Sequence, residues 1–173
     1  MTPETTSDIV QALEASRFQL NTAAAGVSQQ GDTSPEAGRW SALGCVEHVA
    51  ATEERLLGFL DKAEKLDAPR VDKQKESDLT ARVSSRAKRV QAPEIVHPAG
   101  RHPDLAHALD HFNVVRARTI RFAEERQADL YHLTVEHPRF GTVNGMELLL
   151  VIAGHARRHA EQIVEVKEAL EKA

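Results

Sequence analysis

The run NGMELLLVIAGHARRHAEQIVEVKEAL (Asn144–Leu170) decides the fold. Its Leu149, Ile152, Ala156, His159, Ile163, Val166 and Leu170 recur at alternating threes and fours, the spacing of one face of an α-helix. The same periodicity appears in three earlier stretches. One runs from about Ser7, read as an N-cap, through Ile9, Leu13 and Leu20, and stops before QQGDTSPEAG. A second starts after Trp40 and Ser41 and continues through Leu43, Val46, Val49, Leu56, Leu57 and Leu60 to about Leu66. A third carries Leu105, Leu109, Phe112, Val115, Thr119 and Phe122 and ends near Ala128.

No stretch shows a convincing period of two, so the pattern predicts an all-α fold. Four helices of this length make a four-helix bundle. Helices two and three are joined by a long crossover, Asp67–Pro103, with a short helix expected around Ser77–Val90. EHPRFGTVNG reads as a connector with a turn, leading into the last helix.

At 173 residues and 19.1 kDa the chain suits a single domain, residues 1–173, around one core. Hydrophobic residues make up 41% and charged residues 28%, with a net charge of -4, the composition of an ordinary soluble globular protein. That balance, with a pI near 6.1, argues against nucleic-acid binding, which needs clustered Lys and Arg. The basic run SSRAKRV (Ser84–Val90) is offset by nearby acids and reads as a solvated face. MTPETTSDIV is neither basic nor apolar enough for a leader, and no apolar run reaches a membrane span, so a cytoplasmic location is expected. The single cysteine, Cys45, cannot form an internal disulfide and fits a reducing compartment.

Nine histidines stand out in a chain of this size. His155 and His159 are four apart, and a turn of about 100° per residue puts both near the apolar stripe of the last helix. Imidazoles at that spacing can converge on one ion, although the spacing is also common by chance. His107 and His111 repeat it on helix three, but point about 90° or more from the apolar stripe there and read as solvent-exposed. His97, His102, His132 and His137 fall beside prolines or in connectors and read as polar loop residues.

A mononuclear site needs a further ligand, and His48 on helix two is the candidate, at the margin of a wide apolar arc. Cys45, one turn earlier, could reach the same ion, but reads first as a small buried apolar residue. Glu53 is a candidate to orient a ligand or carry a proton; pairing with an arginine such as Arg116 or Arg121 is the favoured reading.

Several stretches together resemble the DinB-like superfamily of bacterial four-helix bundles, in particular its DinB-2 (YfiT-like) branch of metal-dependent hydrolases and thiol-dependent S-transferases. They are WSALGCVEH (Trp40–His48), APEIVHPAG (Ala92–Gly100) and HPRFGTVNGMELLLVIAGHARRHAEQI (His137–Ile163), in family order and spanning most of the chain from Trp40 onward. The resemblance implies a metal triad of one histidine on the second helix and two on the last, here His48, His155 and His159, the set helical geometry also suggests. It implies a frequent homodimer as well.

Three histidines leave a position open for water or a substrate atom, and an all-imidazole site suits zinc or nickel. The residue after His155 is Ala156, where an HExxH protease carries its glutamate, so this is not a protease helix. Arg157 and Arg158 could attract an anion, but read first as surface residues, and APEIVHPAGRHP could serve as a substrate-contacting lid or a rigid strap. The expected function is that of a metal-dependent enzyme acting on a small molecule, as a hydrolase or as an S-transferase using a low-molecular-weight thiol. The alternative is a non-catalytic dimeric bundle whose metal is structural or absent, which the aromatic content of only 4% would suit.

Overall fold

Capping residues set where the helices begin. In the computed structural model, which describes residues 6–173, the Ser41 hydroxyl accepts from Gly44 N and starts helix α2, Ala42–Asp61. Asp104 does the same for α4, Leu105–Glu125. Asn144 and Glu147 form a reciprocal capping box at the head of α5, Gly145–Glu171. Helix α1 is described as Thr6–Ala25, so Ser7 lies within the helix rather than at its cap. The first five residues, half of the stretch read for a leader, lie outside the described residues.

The expected four helices build the bundle. α5 packs between α1 and α2, and α4 packs between the same two on the other side, so α1 and α2 face each other across a diagonal. The apolar positions read from the sequence point inward: Ile9, Leu13 and Leu20 of α1, Val46 and Val49 of α2, Phe112 and Val115 of α4, and Leu149, Ile152, Ile163 and Val166 of α5 are all buried. Each such side chain contributes about 1.5–3 kcal/mol.

Three elements differ from expectation. The short helix of the crossover is α3, Lys73–Ser84, starting four residues earlier than predicted because the Asp72 side chain caps it by accepting from Lys75 N. It packs along α5, and that is why α5 shows no solvent face in its first half: every residue from Gly145 to Gly154 is buried. The two helices pack tightly at Gly154, where a Cβ would stand 3.1 Å from Ser84 Oγ and 3.3 Å from Val83 Cγ1.

The second correction concerns strands. Helix α2 ends at Asp61, not near Leu66, because Glu64–Lys65 form a short strand, β1. It pairs antiparallel with β2, Leu133–His137, which pairs in turn with β3, Gly141–Asn144, in register Val135 to Val143 and His137 to Gly141. The connector EHPRFGTVNG is therefore the turn and return strand of a hairpin. Leu133 and Val135 face inward while Glu136 faces out, and Gly141 adopts φ 69, a conformation that side chains disfavour.

The third is at the hairpin's exit. Gly145 N donates to Leu130 O at 2.8 Å, so closely that a Cβ on Gly145 would also lie 2.8 Å from that oxygen. Because the obstacle is backbone, Gly145→Ala is expected to lower stability by about 1–3 kcal/mol, read from urea unfolding monitored by circular dichroism.

Candidate metal centre

The upper core, around Leu20, Val46, Val49, Phe112 and Ile163, encloses the histidines of α2 and α5. His48 lies two turns into α2 and is 4% exposed, so its marginal place on the helix is closed over by tertiary packing. His159 is 6% exposed, and His155 keeps some exposure, which opens the cluster to solvent on that side.

The three rings form a triangle with centroid separations of 4.9, 4.8 and 4.6 Å and interplanar angles of 66°, 67° and 69°. Their nitrogens converge. His155 Nε2 stands 3.0 Å from His48 Nε2 and 3.2 Å from His159 Nε2, and one ligand atom from each residue falls within 4.8 Å of the others. Tetrahedral zinc with Zn–N distances of 2.0–2.1 Å would hold its nitrogens about 3.3 Å apart.

Hydrogen bonding orients one ring unambiguously. His48 Nδ1–H donates to the Val96 carbonyl at 2.8 Å, which puts the lone pair of the neutral ring on Nε2, facing the other two histidines. His159 Nδ1 is buried with no hydrogen-bond partner. Gln162, three residues on, acts on the same ring, and its Oε1 accepts from Arg86 Nη1 at 3.4 Å.

The surroundings keep the imidazoles neutral. Burial is the main cause of lowering His48 to about 4, against the opposing Val96 bond and with a further push from His97. Burial likewise holds His155 well below 6.5, reinforced by His159, His48 and Arg158. His159 is depressed by burial, then by His48, Arg158 and Arg86. Neutral imidazoles are the form that binds metal.

The crossover lies against this cluster. Val96 belongs to a 3₁₀ turn, Glu94–Val96, and Trp40 borders both sides: its ring is 4.8 Å from His48, stacked on His159 at 6.2 Å, and edge-on to His97 at 5.9 Å. The clamp that holds the crossover is Glu47, a residue the sequence reading passed over. Its carboxylate accepts from the backbone of Ala99, Gly100 and His102 at 3.2, 3.1 and 2.8 Å and from His102 Nδ1 at 3.1 Å. Burial opposes its ionisation, yet these bonds outweigh burial and lower its pKa. An acid beside His48 on a helix was the available signal, but its partners lie 52 to 55 residues away.

The other candidates fall elsewhere. Glu53 pairs with Arg116, both oxygens accepting from its Nε and Nη2 at 2.7 and 2.8 Å. Cys45 packs in the upper core, and burial pushes its thiol up to about 12, which keeps it protonated. His107 is exposed beside Asp104, whereas His111 is half-buried against His102 rather than solvent-exposed. Arg158 is not a surface residue and Arg157 is half-buried: Arg157 Nη2 donates to Ser84 Oγ at 2.6 Å, and Arg158, 7% exposed, donates to Lys88 O at 2.8 Å. Arg86 of the basic run is bound by Glu165 at 2.6 Å. Two surface cavities, of about 190 and 200 Å³, lie away from the histidines, beside the α5 cap and between α2 and α4.

A family profile described as the DinB superfamily matches residues 12–163. The chain belongs to the DinB superfamily. No curated protein matches it. Among solved structures it is similar to YfiT from Bacillus subtilis, described as a probable metal-dependent hydrolase with an unusual four-helix bundle topology. The TM-score is 0.60 at 17% identity, covering 99% of this chain and 90% of that one. The likeness supports the bundle reading. Within this DinB-superfamily chain no helix of the described residues is long and apolar enough to cross a membrane.

Depressed histidine pKa values make stability depend on pH. The unfolded chain takes up protons near the ordinary value of 6.5, whereas the folded one resists until about 4 at His48. Stability is therefore fully present above 6.5 and lost as the pH falls below it. Urea midpoints of metal-free protein at about pH 7 and about pH 5 are expected to show this drop, and to show less of it in His155→Leu.

Proposed function

We propose that the protein is a metal-dependent enzyme acting on a small molecule, with a divalent ion held by His48, His155 and His159. The convergence of three neutral imidazole nitrogens, one of them aimed by the Val96 carbonyl, is the observation that carries this reading. The donor set fits the group: among the described residues no carboxylate or thiolate joins the three histidines, which leaves a coordination position open and suits zinc or nickel.

When bound, such an ion supplies Lewis-acid chemistry, polarising a substrate oxygen or stabilising a deprotonated water or thiol near neutral pH. The chain's own part is positional. Val96 holds His48 in the ligating tautomer, Trp40 walls the site against His159, and Glu47 keeps the crossover seated on α2.

Hydrolysis is the first reaction class, by likeness to YfiT. S-transfer from a low-molecular-weight thiol is a second, and one observation favours it: the two carboxylates nearest in sequence to His48, Glu47 and Glu53, are both fully engaged, one by the crossover backbone and the other by Arg116. A thiolate nucleophile needs no carboxylate base once it is deprotonated. A cytoplasmic location and assembly as a homodimer belong to the same proposal.

Elemental analysis of tag-free protein is expected to find about one equivalent of zinc or nickel per chain, and His159→Ala to retain less than a tenth of it. Chelation should lower the unfolding free energy by several kcal/mol, about 4 kcal/mol where free ion had stood 1,000-fold above its Kd. A content below about 0.2 equivalents after reconstitution would sink the proposal. Metal that stabilises the fold, without turnover of esters, amides or thiol–electrophile pairs, would point to the non-catalytic bundle.

A further inference from the structure

The charges around the three histidines are lopsided. Three imidazoles carry no charge, so a bound divalent ion would keep both of its own. Besides the histidines themselves, the charged groups that act most strongly on His155 and His159 are Arg158, Arg116 and Arg86. Arg116 is neutralised by Glu53 and Arg86 by Glu165. Arg158 has no such ion pair: among the described residues no carboxylate comes within 4.0 Å of it, and the more distant Glu165 and Glu161 act on it less strongly than Arg86 and Arg139 do.

Arg158 is also unusual in its solvation. The residue is 7% exposed, yet only Nη2 is hydrogen-bonded, to Lys88 O. Its other nitrogens are not among the sealed, unpaired polar atoms, so they keep some contact with solvent. Burying a cation without a close counter-charge is unfavourable, and a ligand that supplies the missing charge offsets part of that penalty.

The hairpin brings more cations to the same region. Arg82 of α3 and Arg139 of the hairpin turn both stack on the Phe140 ring, at 5.3 and 5.5 Å from its centroid, and neither has a carboxylate partner among the described residues. Arg139 lies close enough to Arg158 for their charges to oppose each other. The hairpin thus brings Arg139 within electrostatic reach of Arg158, which in turn acts on His155, the histidine that keeps solvent exposure.

We propose that Arg158, assisted by Arg139, is an oxyanion-binding site that selects substrates carrying a carboxylate, anchoring that end while the reacting atom reaches the three histidines. This deepens the functional reading above and rests on it for the role of the histidines. A guanidinium with free N–H groups is suited to a carboxylate by its fork of donors.

The test uses cobalt(II)-loaded protein titrated with 3-mercaptopropionate and with 2-mercaptoethanol, following thiolate-to-cobalt absorption. The wild type is expected to bind the acid at least about tenfold more tightly than the neutral thiol. Arg158→Gln should close most of that gap without loss of cobalt, and Arg139→Gln, at an exposed position, should narrow it with the fold intact. Equal affinities in the wild type, or a gap unchanged in both variants, would overturn the proposal. A second arm needs no metal: inorganic phosphate should raise the Tm of metal-free wild type above that in chloride of equal ionic strength, and should not do so for Arg158→Gln. No preference for phosphate there overturns the oxyanion site. A failure to take up cobalt counts against the metal reading, and the phosphate arm then decides the oxyanion site separately.

Discussion

The bundle depends on a guanidinium at its centre. Arg116 of α4 is fully buried and binds Glu53 of α2 through Nε and Nη2, while its Nη1 donates to Leu13 O at 2.6 Å and Ser16 Oγ at 2.7 Å on α1. One side chain thus ties together α1 and α2, which face each other diagonally and make little direct contact. Every partner is in place, and that is the condition under which a buried charge is tolerated. The lower and upper apolar clusters lie on either side of it, so it fixes the register of the helices that carry the histidines.

From that register the site follows. The setting of α2 that turns one face, with Glu53, to Arg116 of α4 turns another, with His48, towards α5, where the spacing of one helical turn brings His155 and His159 to meet it. What remains is orientation, and the crossover supplies it. Glu47 collects the N–H groups of Ala99, Gly100 and His102, holding the strap so that the Val96 carbonyl meets His48 Nδ1. Adjacent residues of one helix divide the work, the acid seating the strap and the base being aimed by it. Engaged in this way, neither Glu47 nor Glu53 is left to serve the imidazoles.

The helices were legible because their apolar residues recur at threes and fours, and the inward face of α5 already included His155 and His159. The hairpin was harder to see. Leu133 and Val135 alternate as a strand should, but the run is five residues long and closes on β1, a strand of two residues that has no sequence signature of its own. α3 was anticipated but misplaced, since Asp72 as its cap is one polar residue among many in a charged stretch. Arg158 was read as a surface residue because four helices would leave that face of α5 in water. A fifth helix and the strap behind it cover it.

By itself the sequence determined the periodicity, and with it the four long helices, their buried faces and the histidines that could share an interior. These are local properties, set by the angle of about 100° between successive residues of a helix. Only the tertiary structure decided the partners: Glu53 with Arg116, Glu47 with the crossover backbone, His48 with Val96, and Arg158 with no carboxylate within 4.0 Å among the described residues. Such pairings join residues 48 to 63 positions apart, where no period of the chain relates one to the other. Which charge is satisfied, and which is left to attract a ligand, is therefore settled by packing.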